Sequence, residues 1–184
     1  MKTTIKILAL LFAVVTITSC GSKGVDQATK DAMTTFNDDW AVMMSSAEVW
    51  VTNAETEMAD WSVGHKEMET MTATWSAEQK AAMQANMDIC MASMTKGQTM
   101  SNDMTNAIAG WKTDGEAWSA WKKTVDDGDI SQEDATKGME EWNGKLTAAK
   151  TTIESTDANW TAMRDTHIAA EDAMKTAMAA TTPE

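Results

Sequence analysis

One step pattern governs almost the whole chain. From Met33 to Ala177, apolar and small residues recur at alternating intervals of three and four. The first run reads Met33, Phe36, Trp40, Met43, Ala47, Trp50 and Ala54, passes over Glu57, and continues through Trp61, Gly64, Met68, Met71 and Trp75. The second reads Met83, Met87, Cys90, Met94, Gly97, Met104, Ile108, Trp111, Gly115, Trp118 and Val125, with Ser101 and Lys122 as polar members. The third runs from Met139 through Trp142, Leu146, Ala149, Ile153, Thr156, Trp160, Met163, His167, Ala170 and Met174 to Ala177. A sustained three-four step places one stripe along a helix and is the mark of left-handed helical packing. A β-sandwich or barrel is excluded. The single proline is Pro183, and strand-like Val and Ile runs are missing after the first twenty residues.

Two boundaries divide the stripe. Ser76-Ala77-Glu78-Gln79 is a capping box, in which serine accepts a backbone N–H and Gln79 reaches back. Asp126-Asp127-Gly128-Asp129 is a turn cluster, and Ser131-Gln132-Glu133-Asp134 starts a helix with acids in its first turn. Helices are therefore expected over about 26–75, 77–126 and 132–180, each about 75 Å long at 1.5 Å per residue. Short connections make neighbours antiparallel. The expected fold is all-α: an elongated, coiled-coil-like, up-down-up three-helix bundle over 26–181, similar in architecture to a spectrin-type repeat. A break of the second helix at Gly110–Gly115 would give four helices. The unbroken heptad phase there favours three. Folding at Trp75-Ser76 and near Gly128 sets residue i of the first helix level with about 151 − i and i + 107. Gly97 then faces Trp160 and Ala54, Gly115 faces Trp142 and Phe36, and Gly64 faces Met87, so small residues meet large ones.

The first residues form a separate unit. Lys2 and Lys6 precede a short apolar run, Ile7 to Ile17, that falls short of a membrane span. Thr18-Ser19-Cys20 follows. A charged start, a short apolar middle and a small-residue cleavage site describe a secretory signal peptide over 1–19. Ser19-Cys20 resembles the lipobox of bacterial lipoproteins, and the polar Gly21-Ser22-Lys23-Gly24 tether is similar to theirs, including those of Bacteroidota. The resemblance implies a lipidated, palmitate-bearing Cys20 as the mature N-terminus, with 20–25 as lipidated cysteine and tether. It implies a place in the bacterial cell envelope, membrane-anchored and facing the periplasm or the outside. The residue after Cys20 is not Asp, which favours the outer membrane. The other reading is a plain cleaved signal with an incidental cysteine.

Charge and motifs narrow the function. The net charge of −13, two units more negative once Lys2 and Lys6 leave with the leader, excludes a general nucleic-acid binder. No P-loop, Rossmann fingerprint, G-x-S-x-G, CxxC or Glu-x-x-His motif occurs. The acidic turn at 126–131 fails as a calcium loop, because Lys123 and Val125 stand where oxygen ligands belong. No catalytic constellation emerges, and a non-enzymatic protein is expected.

The unusual content is 17 Met and 9 Trp, with Leu146 the one leucine after the leader. Methionine is flexible and fills irregular cores. Its thioether also selects soft ions such as Cu(I) or Ag(I). The spacings His65-x-x-Met68, Met68-x-x-Met71, Met87-x-x-Cys90, Met91-x-x-Met94 and Met163-x-x-x-His167 each share a helix face. They look like the spacings of periplasmic copper and silver binders. The register places Trp61, Met87, Cys90, Met163 and His167 at one level, a candidate soft-metal site. Cys90 is expected to be buried and His65 to lie exposed beside the stripe. With Cys20 lipidated, Cys90 is the one remaining thiol, open only to an intermolecular disulfide. Trp121 falls off the stripe, and as an exposed tryptophan it is the candidate contact for a partner. The leading expectation is a lipid-anchored structural spacer or interaction module with no cofactor. Its partners would be the membrane, an unidentified envelope protein or a second copy of itself. Soft-metal binding is the alternative, and oxidant scavenging by methionine a third.

Overall fold

A computed structural model describes residues 24–181. The leader, Cys20 and most of the tether lie outside the described residues. Three helices follow one another: α1 (Gln27–Thr72), α2 (Ala77–Asp126) and α3 (Gln132–Thr181). All three pack against one another as an antiparallel three-helix bundle. The second helix is continuous through Gly110–Gly115. None of the described helices is long and apolar enough to cross a membrane.

Local chemistry accounts for each boundary. Asp26 caps α1, its carboxylate accepting the Thr29 N–H at 2.8 Å. Both halves of the expected capping box form at Ser76: Gln79 N–H donates to the serine hydroxyl at 3.2 Å, and Ser76 N–H donates to the Gln79 side chain at 2.8 Å. At the end of α2, Asp129 N–H reaches the Thr124 carbonyl and Gly128 N–H that of Val125. This Schellman closure needs a left-handed residue, and Gly128 supplies it at φ +78°. The Ser131 hydroxyl then accepts the Asp134 N–H to open α3. The first helix ends at Thr72, three residues earlier than its stripe suggests. Met71 is consequently exposed and Trp75 half-buried in the connection.

The stripe is the core. Every member of the third run from Met139 to Met174 is buried except Thr156. Nearest the α2–α3 turn, Phe36 packs on Trp118 at 4.2 Å between ring centroids, with Trp40 and Trp142 around it. Glu57, the break in the first run, is half-buried and accepts the Trp160 indole N–H at 3.1 Å. A tryptophan in an apolar core needs that acceptor. Beside it Met58 is buried, a core residue outside the expected stripe. The register holds to within about a turn. A Cβ on Gly97 would lie 3.2 Å from Trp160, as the register sets, and 3.0 Å from Met58, one turn beyond Ala54. One on Gly115 would lie 3.4 Å from Trp40, in place of Phe36. Gly64 looks toward Glu171, the i + 107 position.

Both ends of the rod are distinct. At the α2–α3 end, Asp26 N–H donates to the Gln132 side chain at 2.7 Å, and the Gln132 amide donates to Thr29 at 2.9 Å. These bonds fasten the start of α1 to the start of α3. At the other end a smaller apolar cluster of Met68, Cys90, Ala170 and Met174 forms apart from the main core.

Candidate metal centre

Where the smaller apolar cluster meets the main core, each helix contributes one metal-capable side chain. His65 comes from α1, Cys90 from α2 and His167 from α3. Their donor atoms all lie within 4.8 Å of one another. Each sits where the helical step aims it inward. Cys90 and His167 are on the stripe, and His65 flanks it one residue past Gly64. Cys90 is 1% exposed and His167 fully buried.

The imidazoles extend a column of rings. Trp160 stacks on Trp61 at 5.6 Å, Trp61 on His167 at 4.0 Å, and His167 on His65 at 5.1 Å. The column fixes the plane of each histidine without satisfying its nitrogens. Among the described residues neither Nδ1 nor Nε2 of His167 finds a hydrogen-bond partner, nor does the buried Nε2 of His65. The carboxylate of Glu171 stands 3.3 Å from His167 Nε2, outside hydrogen-bond geometry, and its other oxygen meets Lys175 at 3.4 Å. Three orphaned imidazole nitrogens in one place are costly, because an unmet buried polar group destabilises a fold by about 1–3 kcal/mol.

The Cys90 thiol makes one long contact, donating to the His167 carbonyl oxygen at 3.9 Å. Burial pushes the thiol up to about 11, with a further push from Glu171 and a counter-pull from Lys175. It is a protonated, inert thiol at neutral pH. His65 is held below the ordinary imidazole range, first by burial and then by His167, with Glu171 pulling the other way. That favours the neutral imidazole, which keeps the lone pair of one ring nitrogen available.

The donor set suits a soft or borderline ion. One thiolate and two imidazoles around a common ion at 2.0–2.3 Å would stand about 3.3–3.8 Å apart. The group therefore needs about 1 Å of closure, within reach of side-chain rotation. Next to it lies a cavity of about 270 Å³, lined by Cys90 and His65 together with Met68, Met87, Met91, Met174 and Met178.

Of the five residues expected at one level, Trp61, Cys90 and His167 meet there. Met87 borders the adjoining cavity. Met163 packs near Gly97 beside Trp160 and Met58 and belongs to the main core. His65, expected to be exposed, is half-buried and stacked on His167. Its place just past a stripe glycine, four residues after Trp61, was the available signal. Trp121 is not exposed either. It is half-buried, 5.2 Å from Trp118, and its indole covers Gly138. No protein-family model, curated protein or solved structure matches the chain.

Proposed function

We propose that the protein is a lipid-anchored envelope rod that binds a soft metal ion, Cu(I) or its analogue Ag(I), near the end remote from its anchor. The observation that carries this reading is the buried His65–Cys90–His167 group with its orphaned ring nitrogens. A bundle selected for stability alone would place leucine or methionine there. Cation binding would replace the Cys90 proton and use one nitrogen of each imidazole. Glu171 would then be positioned to orient His167 through the other nitrogen, as carboxylates behind metal-ligating histidines do. The thioethers around the group favour a monovalent soft ion over Zn(II).

The anchor belongs to the same proposal. Gln27 and His65 are 38 positions apart on one helix, which is roughly 57 Å at 1.5 Å per residue. A lipid on Cys20 would hold one end of the rod at the membrane and the metal group well clear of it. The acidic surface suits a body held off anionic lipid. In this reading the spacer is the stalk of the binding site.

The test is a Ag(I) titration of the chain carrying Cys20→Ser, followed by tryptophan fluorescence and native mass. A tight ion that quenches Trp61 and is lost in Cys90→Ser and His167→Leu is the expected result. Zn(II) binding tighter than Ag(I), or Ag(I) retained in both variants, would overturn it.

A further inference from the structure

Two groups of the described methionines differ in their surroundings. Met33, Met43 and Met104 are each 2% exposed and wedged in the main core. Met68, Met87, Met91, Met174 and Met178 instead surround the cavity of about 270 Å³ beside Cys90. They come from all three helices: Met68 from α1, Met87 and Met91 from α2, Met174 and Met178 from α3. Five flexible thioether side chains from three helices ring one opening at the end of the bundle, where core filling does not require them. The cavity reaches solvent, because Met91 is 62% exposed, and it reaches the buried group through Cys90.

We propose that these five thioethers form a second station for a soft monovalent ion, through which Ag(I) or Cu(I) enters and leaves the His65–Cys90–His167 group. The inference rests on the reading that this end of the rod handles such ions. Thioethers are neutral and carry no proton to displace, so they hold a soft ion less tightly than a thiolate does and exchange it readily. The lining also holds the oxygens of Glu69 and Thr72, but five of its nine residues are methionines, which favours soft ions over hard ones. Their long, unbranched side chains can follow an ion inward by changing rotamer.

Methionine methyl NMR separates the two sites. The full chain carrying Cys20→Ser, labelled at its methionine methyls and held in dodecyl maltoside, is titrated with silver nitrate. Expected are two bound ions. The first is reported by Trp61 quenching. The second moves the methyls of Met68, Met87, Met91, Met174 and Met178 while those of Met33, Met43 and Met104 stay in place. Zn(II) should leave all of them unmoved. Cys90→Ser should keep the methyl shifts and bind one ion. The pair Met87→Leu and Met91→Leu, at positions exposed or half-buried and so tolerant of change, should weaken the second ion at least tenfold and spare the first. Methyls around the cavity that move no more than those of the core through two equivalents overturn the station, whether or not the His–Cys group fills. Methyl shifts without any response from Trp61 uphold the station and overturn the buried centre.

Discussion

His167 is the residue at which packing and chemistry conflict. It occupies a heptad position that everywhere else in the third run holds an apolar or small side chain or a threonine. Its ring is fully buried, stacks on Trp61 at 4.0 Å, and leaves both nitrogens without hydrogen bonds. Sites that break the packing rules without a structural return are where function is expected. His167→Leu removes the orphaned nitrogens and keeps the volume apolar. The metal-free variant should therefore be as stable as the parent or more so, by up to about 1–3 kcal/mol, the cost of an unsatisfied buried polar group. Urea unfolding of both proteins in the presence of a chelator measures this. A strong loss of stability in the variant would mean that the imidazole is held by bonds that stabilise the bundle, and the argument for a vacancy in its hydrogen bonding would fail.

At the scale of the helices, most of the architecture was legible because it depends on one period and a few caps. The stripe, the box at Ser76 and the turn at Gly128 are local, and they set α2 at Ala77–Asp126 as expected. What was not legible depended on how helices meet. Met58 is buried beside Glu57 because the carboxylate turns to meet the Trp160 indole, a partner about a hundred residues away in sequence. Met71 is exposed because α1 stops at Thr72 and its last turn has little to pack against. The inward turn of His65 and the covered position of Trp121 belong to the same class. For Trp121 the register carried the signal, since it sets 121 level with about 137, next to Gly138. That glycine is needed: a Cβ there would fall 2.7 Å from Cε2 of Trp121 and closer still to Cζ2. Gly110 and Gly144 have nothing within 4 Å of the same position. Alanine at Gly110 or Gly144 should stabilise by about 0.5–1 kcal/mol through helix propensity alone. Gly138→Ala should destabilise by about 1–3 kcal/mol through overpacking. Thermal unfolding of the three variants checks the contrast, and a Gly138→Ala protein as stable as Gly110→Ala would show that Trp121 does not dock as described.

Across the whole molecule, the two ends of the rod are held by unequal means. The α2–α3 end has the Gln132 bonds to Asp26 and Thr29, the closed Gly128 turn and the Phe36–Trp118–Trp142 cluster. The other end has a four-residue apolar cluster, an open cavity and two exposed methionines, Met71 and Met91. Fewer buried contacts mean lower local stability, so this end should open without unfolding the rest. An ion held as proposed, by one side chain from each helix, would tie together the three segments that such an opening separates. Binding to the closed form adds about 2.7 kcal/mol when the free ion is a hundred times its Kd. Amide hydrogen exchange should accordingly be faster around His65, Cys90 and His167 than around Phe36, Trp118 and Trp142 in the metal-free chain. Ag(I) should slow it selectively in the first group. Because the α2–α3 end does not take part in that opening, its protection should change little, and Gly138→Ala, about 44 Å along α3 from His167, should leave Ag(I) affinity unaltered. Uniform protection of all three helices would instead mean that the rod opens as one unit. Exchange at the remote end that ignores Ag(I) would remove the ion from the structure altogether, and with it the reason for three donors to share one buried place.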